Sequence, residues 1–454
     1  MYRFRYIEPF VMLATLLRWL FLASLTGIVV GAVTSIFLQL LFYSMDKSLH
    51  APLWMQLLLL PLGGLLNGLL IYYGYRNKQA EDDSVIKAVH DQEGKLPLKT
   101  MPVKPIAAIL TLASGGSAGK EGPSSHIGGT IASWIGQTLR LDKRLQRKIV
   151  ACGVSAGFAS VFGTPIAGAI YAIEILSIGR IRHDYLFASI IAGVTSFQIS
   201  KAFGMTYDYY PMETVAGFSE FLFIKIIIIG ILCGLAALLF VVLFEEVRIF
   251  FNYIQQRFTI WRPFMPMIGG IVLSLFILFI SVDYLGLSLP LMEVALSGEK
   301  VPYLAFFWKS LFVAITLGSG FYGGIVTPQF VIGALSGNVF ALLLGVDPVL
   351  GASVGMVAIV AAASNAPLAA VLMGFELFGA SIGIYVVGAC LAAYIMIGHR
   401  SVYPDQLIAF PKSIWIHSKA SSSVGENDVQ ISYSLLRKIN IWQQKQSKEH
   451  HNTK

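Results

Sequence analysis

The chain has 454 residues, of which 33 are Lys or Arg and 25 are Asp or Glu, so its formal charge is +8. Hydrophobic residues make up 56% of the sequence and charged residues 13%. Soluble domains carry about 25% charged residues, so this chain has too few charges to cover a water-facing surface. These figures exclude a soluble protein, a disordered chain and a nucleic-acid-binding protein. They predict one large all-α integral membrane domain in the lipid bilayer.

Uncharged windows follow one another along the chain. Ile226–Phe244 and Phe264–Val282 each have the length of an ordinary membrane span. Leu311–Val346 and Pro348–Phe375 are too long for one crossing and are interrupted by Gly and Pro. Irregular backbone is tolerated at membrane depth only inside protein or beside a polar cavity. We therefore predict short, broken helices that meet inside the membrane.

The two ends of the chain differ from this apolar body. Arg3 and Arg5 precede an apolar stretch that runs on past any cleavage-type site, so we expect the start to be retained. Residues 411–454 contain no run long enough to span a membrane and are predicted to form a polar tail. The basic residues at both ends favour the cytoplasm for both termini.

Metal and cofactor chemistry has no support in the sequence. The three cysteines, Cys152, Cys233 and Cys390, are widely spaced within apolar runs and indicate core residues. The eight histidines show neither an HExxH motif nor another paired spacing. We expect no metal and no cofactor.

An internal repeat becomes visible when the sequence is shifted by 202 residues, which places Gly153–Glu174 over Gly355–Glu376. In each copy a Pro precedes the final Glu by nine residues, and a Gly-rich turn that contains Pro lies upstream. Chance coincidence of Ala and Gly is the alternative, but the spacing and the turns recur together. We predict two inverted repeats within residues 1–410, with a boundary near 205–220. Broken helices at corresponding places in two repeats are typical of a midplane binding site in transporters.

The two upstream turns read GKEGP, Gly119–Pro123, and GGIVTP, Gly323–Pro328. A Gly-rich turn followed by Pro favours a helix start, with Pro at the first helical position. Two helix starts aimed at one point form an anion site without a full positive charge. Glu121 is a carboxylate at such a start, where it could cap the helix, occupy the anion site, or do both. The turns give these candidate anion-binding residues: Gly119, Lys120, Gly122, Pro123 and Gly324.

Two readings from other classes remain at this stage. Gly115–Gly119 fits the hydrolase motif GxSxG with Ser117 as nucleophile, but that motif needs a preceding strand and acid and His partners. A purely structural membrane scaffold would transport nothing. We expect that the protein is not an enzyme.

At these residues the chain resembles the CLC family of chloride channels and chloride/proton antiporters. Pro102–Gly129 is similar to the family's second filter segment, Gly323–Ala334 to the third, and Ser401–Pro404 to the segment with the terminal filter tyrosine. The resemblance implies a bundle of many tilted helices in inverted repeats and a homodimer with one pore per subunit. It implies chloride or a similar small anion as the substrate, with Glu121 as the gate. It also implies anion binding by the backbone N–H groups of Ile325 and Val326 and by the hydroxyl of Tyr403.

The chain departs from the family pattern at two places. The first filter segment is usually Gly-rich, whereas Gln79–Val85 here contains Glu81, Asp82 and Asp83. Proton-coupled members place Glu after the position of Glu174, where this chain has Ile175. The sequence therefore favours a chloride channel of the voltage-gated class, with passive conduction gated by Glu121. A chloride/proton antiporter that uses another proton route is the alternative.

Overall fold

The computed structural model describes residues 7–49, 52–75, 84–212, 218–417, 422–426 and 430–431. Within these residues the chain forms sixteen α-helices and four strands of two residues each. The all-α fold predicted from the sequence is confirmed. In chain order the helices are α1 Glu8–Leu49, α2 Leu53–Gly74, α3 Val85–His90, α4 Val103–Ala113, α5 Glu121–Thr138, α6 Lys143–Phe162, α7 Pro165–Glu174, α8 His183–Ala202, α9 Glu220–Arg257, α10 Phe264–Phe276, α11 Leu289–Leu296, α12 Ala305–Gly318, α13 Val326–Leu344, α14 Pro348–Ala363, α15 Pro367–Phe378 and α16 Gly383–Met396.

Helix lengths agree with a membrane protein built from long and short segments. In the described part of the chain, α1, α2, α9 and α13 are long and apolar enough to cross a membrane. The predicted breaks are present, because α12 stops at Gly318 before α13, and α14 stops at Ala363 before α15. Helices α7 and α15 have 10 and 12 residues, and at about 1.5 Å per residue neither crosses the ~30 Å hydrocarbon core.

The predicted span Phe264–Val282 is wrong in its second half. Helix α10 ends at Phe276 after 13 residues, and the chain then turns into a 3-10 helix at Val282–Tyr284. This turn brings the carbonyl oxygen of Tyr284 to the side chains of Ser117 and Lys309. A count of uncharged residues cannot detect such a turn, because the polar partners lie far away in the sequence.

Two helix pairs form the centre of the molecule, and both depend on glycine. Helices α5 and α6 touch at Gly128 and Gly153, where a Cβ on either glycine would overlap the carbonyl oxygen of the other. Helices α13 and α14 touch in the same way at Gly333 and Gly355. Small residues let helix backbones approach closely in membrane proteins. These close contacts hold α5 against α6 and α13 against α14, and so help to position the N-terminal ends of α5 and α13.

The short helices α7 and α15 cap each other. The Glu174 carboxylate accepts hydrogen bonds from the backbone N–H groups of Leu368 and Ala369, at 3.1 and 2.8 Å. The Glu376 carboxylate accepts from Ile166 and Ala167, also at 3.1 and 2.8 Å. Each acid therefore satisfies donors at the start of the opposite helix. The division into two repeats near 205–220 stays a prediction, and these matched contacts agree with it.

The segment after α16 returns to the centre of the molecule. Its strand Leu407–Ile408 pairs in parallel with Ser177–Ile178, directly after α7. A second pair, Ile416–His417 with Gln430–Ile431, is antiparallel. These contacts fix the loop that carries Tyr403. Much of the predicted tail, including its last residues, lies outside the described residues.

Candidate functional site

The two Gly-rich turns lie side by side in the structure. The N–H of Gly119 donates to the carbonyl oxygen of Gly324 at 2.7 Å, and the N–H of Gly324 donates back to Gly119 at 2.8 Å. This two-bond bridge joins residues that are far apart in the chain and sets the starts of α5 and α13 against each other. The N–H groups of Gly119 and Gly324 are used in this bridge, so in this state they do not face an anion.

The Glu121 carboxylate lies at the start of α13. Its Oε1 accepts a hydrogen bond from the backbone N–H of Val326 at 2.5 Å, and its Oε2 accepts one from the Thr327 hydroxyl at 2.7 Å. The residue is 2% exposed. The start of a helix carries unpaired N–H donors and the positive end of the helix dipole, which together favour an anion. The side chain of Glu121 therefore occupies a place that suits a small anion.

Glycine is required on both sides of this carboxylate. A Cβ at Gly324 would overlap Oε1 of Glu121, and a Cβ at Gly119 would overlap Oε2. The two glycines that form the bridge thus also leave the space that the carboxylate fills. We call this place, formed by Gly119, Gly324, Val326 and Thr327, the carboxylate seat.

The helix starts differ in detail from the prediction. Helix α5 begins at Glu121 and α13 at Val326, so Pro123 and Pro328 stand at the third helical position and not the first. The third position still has no intrahelical acceptor for an N–H, so proline costs no hydrogen bond there. Ile325 is the residue that precedes α13 as its N-cap.

Lys120, a candidate anion-binding residue, makes no hydrogen bond to the Glu121 carboxylate, although the two opposite charges attract each other. Its Nζ lies 4.8 Å from the ring centre of Phe42 on α1. The residue is the N-cap of α5 and is not among the residues that line the cavity below the seat. Its backbone helps to start the helix, whereas its ammonium group contacts an aromatic ring.

A cavity of about 190 Å³ borders the seat. It has space for several water molecules. Glu121, Gly122 and Val326 of the seat region line it, together with Ile175 and Tyr403. The structure therefore brings the predicted gate, the filter tyrosine and the apolar position after Glu174 to one cavity. His126 of α5 lines the same cavity.

The hydroxyl of Tyr403 belongs to a chain of hydrogen bonds. It lies 2.8 Å from the hydroxyl of Tyr171, which donates to Ser364 Oγ at 3.1 Å. Ser364 in turn donates to Gln329 Oε1 at 2.9 Å. Either tyrosine hydroxyl can donate the bond between Tyr171 and Tyr403, so Tyr171 competes with the cavity for the Tyr403 proton.

A second cavity of about 530 Å³ lies next to the first and shares Ser84, Lys104 and Tyr322 with it. We call it the vestibule. Among the described residues that line it, four are basic and Asp405 is the acid. Its basic residues, on α3, α4, α9 and the loop before α10, are Lys87, Lys104, Arg248 and Arg262.

A basic lining raises the local concentration of anions. Glu81, Asp82 and Asp83, which the sequence places at the first filter segment, lie outside the described residues.

Ser117 does not have the surroundings of a hydrolase nucleophile. It is fully buried, and its hydroxyl donates to the Tyr284 carbonyl at 2.9 Å while accepting from Lys309 at 2.8 Å. A GxSxG serine needs an exposed elbow and a His partner. The hydroxyl instead joins the turn before Glu121 to the rest of the structure.

Two residues of this site were missed by sequence reasoning. Thr327 is one of the two hydrogen-bond donors to Glu121, and Tyr171 is the partner of Tyr403. A signal for Thr327 was present, because it is a polar residue beside Pro328 in an otherwise apolar run. Tyr171 stands among apolar residues of α7, and nothing in its spacing indicated Tyr403.

Comparisons with known proteins agree with this geometry. A family model described as voltage gated chloride channel matches residues 63–398. A chloride/fluoride channel protein of Pseudomonas syringae pv. tomato is 33% identical over 424 residues, which cover 91% of this chain and 91% of the relative. A voltage-gated ClC-type chloride channel, ClcB, of Shigella flexneri is 26% identical over 385 residues, covering 80% of this chain and 85% of the relative.

Solved structures also match over most of the chain. The crystal structure of a CLC-type fluoride/proton antiporter has a TM-score of 0.80 and 29% identity, and the match covers 87% of this chain and 98% of that one. The structure of a slow cyanobacterial Cl⁻/H⁺ antiporter has a TM-score of 0.69 and 22% identity, over 84% of this chain and 94% of that one. The second match supports the fold.

Proposed function

The chain belongs to the voltage gated chloride channel family, and we propose that it is a halide/proton antiporter gated by Glu121. One observation carries this proposal: the Glu121 carboxylate occupies the anion place at the start of α13, bonded to Val326 and Thr327. A halide and this carboxylate cannot occupy the seat together. Protonation removes the negative charge of Glu121 and weakens its hold on the seat, so a halide can enter. Because the halide and the ionised carboxylate replace each other in the seat, halide movement is coupled to the binding and release of a proton by Glu121.

The neighbouring cavity supplies the proton route. Ile175 has no titratable atom, so a relay residue at that position is absent from this chain. The 190 Å³ cavity nevertheless reaches from Ile175 and Tyr403 to Glu121, and water within it can carry protons to the carboxylate. An isolated proton is too costly in an apolar interior, so this water path is a requirement of the proposal.

The names of the relatives support the same function. They include a chloride/fluoride channel protein and a fluoride/proton antiporter, which favours antiport over the channel reading of the sequence and adds fluoride to chloride as a substrate. Voltage gating stays a prediction.

Sealed proteoliposomes with a chloride gradient, and in parallel a fluoride gradient, test the proposal when internal pH and halide are followed together. We expect uphill proton movement at a fixed ratio to halide. Glu121→Gln should keep halide flux and lose both proton coupling and acid dependence. Glu293→Gln is the matched control, because Glu293 is an exposed acid on α11 that lines neither cavity. Halide flux without proton movement in the unaltered protein would contradict antiport.

Uncoupled conduction is the second candidate, and Ile175 is the observation that favours it. If the cavity holds no continuous water path, protonation of Glu121 opens the seat without transporting a proton across the membrane. The same experiment separates the two functions, because a channel then shows acid-dependent halide flux with no uphill proton movement.

We also retain three features from the family resemblance: a homodimer, one pathway in each subunit, and cytoplasmic termini. Cross-linking of the protein in native membranes tests the dimer. Protease cleavage of the tail in vesicles of known orientation tests the position of the C-terminus.

A further inference from the structure

Lys309 of α12 is a completely buried lysine next to the turn that leads into Glu121. It is 0% exposed, although lysine is almost never fully buried unless it is paired. Its Nζ donates to Ser117 Oγ and Ser288 Oγ, both at 2.8 Å, and to the carbonyl oxygens of Tyr284 and Gly286, at 3.2 and 3.0 Å. One of these partners, Ser117, lies in the turn that leads into Glu121.

We call the four oxygen atoms that surround Nζ the cage. Its hydrogen bonds suit an ammonium group. Two of the partners are carbonyl oxygens, which can only accept. The Ser117 hydroxyl proton is already donated to Tyr284, and the Ser288 proton is donated to Leu285 at 3.1 Å. A neutral amine would find no donor for its lone pair, whereas the three protons of an ammonium group are all used. The cage therefore favours the positively charged form of Lys309.

Within the described part of the chain no acid bonds to this group, since all four partners of Nζ are uncharged. Helices α10 and α13, which pack against α12, contain no ionisable residue. On the 3-10 helix that also contacts α12, Asp283 is exposed and is bonded to Ser281. The charged residues of α9, which completes the surroundings, do not bond to Lys309; they are Glu220, Lys225, Glu245, Glu246, Arg248 and Arg257.

We propose that Lys309 is a positioning residue whose fixed charge strengthens halide binding at the seat and holds Glu121 in its ionised form. The proposal rests on the proposed function and adds a determinant outside the seat. Nζ lies 2.8 Å from Ser117 Oγ, and the Cα atoms of Ser117 and Gly119 are at most about 7.6 Å apart. Because a Cβ on Gly119 would overlap Oε2 of Glu121, Nζ lies within about 17 Å of the seat. Coulomb's law at an effective permittivity of about 20 then gives roughly a fivefold effect on anion binding, or more at shorter range.

Lys309→Gln tests the charge while keeping amide donors in the cage. In a Glu121→Gln background, calorimetric titration with chloride and with fluoride should give a dissociation constant about fivefold higher than for Glu121→Gln alone. With Glu121 intact, the pH of half-maximal flux should rise by roughly 0.7 unit, because Glu121 loses a favourable charge and binds its proton more tightly. Ser288→Ala is the matched control, since it removes one cage oxygen and keeps the charge. Its halide affinity and pH midpoint should equal those of the parent.

The proposal is overturned if Lys309→Gln leaves both affinity and pH midpoint unchanged, or if Ser288→Ala changes them as much. Should Lys309→Gln fail to fold, Lys309→Met removes the same charge and decides. A fivefold loss of halide affinity supports the proposal, and an unchanged affinity contradicts it. Failure of the proposed function is distinguishable, because it would appear as unchanged acid dependence in Glu121→Gln, whereas the affinity measurement does not require a working gate.

Discussion

Thr327→Val tests how the seat holds the gate. The Thr327 hydroxyl donates to Glu121 Oε2 at 2.7 Å, and valine has nearly the same shape but no donor. A hydrogen bond to a charged group contributes about 1.5–3 kcal/mol. Only the ionised, seated carboxylate accepts this bond in full, so its loss destabilises the ionised state and raises the proton affinity of Glu121. At about 1.4 kcal/mol per pH unit, the pH of half-maximal flux should rise by roughly 1–2 units.

The assay is halide efflux from proteoliposomes between pH 4 and 9. Thr327→Ser is the matched control, because it keeps the hydroxyl and loses only a methyl group, and its midpoint should stay with the parent. We expect Thr327→Val to pass more halide at neutral pH than either. An unchanged midpoint, or an equal shift in the serine variant, would refute a role for this hydrogen bond in gating.

Three further predictions concern Gly324, the pair formed by Tyr403 and Tyr171, and Glu376. Gly324→Ala should raise neutral-pH flux towards that of Glu121→Gln, because the new Cβ overlaps the carboxylate; flux that still requires acid would contradict this. Tyr403→Phe should weaken halide binding measured by calorimetry by roughly tenfold or more, since a donor to an anion is lost. Tyr171→Phe should strengthen halide binding, because the Tyr403 hydroxyl is then free to donate into the cavity. Equal halide affinities in Tyr403→Phe and Tyr171→Phe would exclude a role for this hydroxyl chain. Glu376→Gln should lower the free energy of unfolding by about 1.5–3 kcal/mol without changing halide affinity, which thermal unfolding in detergent and calorimetry together check.

The parts of the candidate site that depend on neighbouring residues could be predicted from the sequence. The Gly-rich turns at Gly119–Pro123 and Gly323–Pro328, and the acid within the first, are recognisable because a helix start in an apolar region needs these residue types. The breaks before α13 and α15 were predicted for the same reason. Backbone geometry is determined by neighbours in the sequence, so local patterns indicate it.

Side-chain partners could not be predicted, because they are determined by packing between distant segments. Thr327 and Glu121 are 206 residues apart, and Tyr171 and Tyr403 are 232 apart. Lys309 is a single charge in an apolar helix, a pattern that equally suits a surface lysine in a membrane protein. Its role is visible only when Ser117 and Ser288 are placed around it.

Glu121, Glu174 and Glu376 each accept a hydrogen bond from the start of a helix other than their own, yet their surroundings assign them different roles. Glu174 and Glu376 each accept two backbone N–H bonds from the opposite short helix, and neither lines the seat cavity or the vestibule. Such a place opens on neither cavity, and a carboxylate that leaves it leaves two backbone donors without their partner, which is costly. Glu121 also accepts hydrogen bonds from a helix start, but its seat opens on a cavity, and in the proposed function water or a halide replaces it there. The same chemistry therefore stabilises the fold at two positions and, under this proposal, permits exchange at the third.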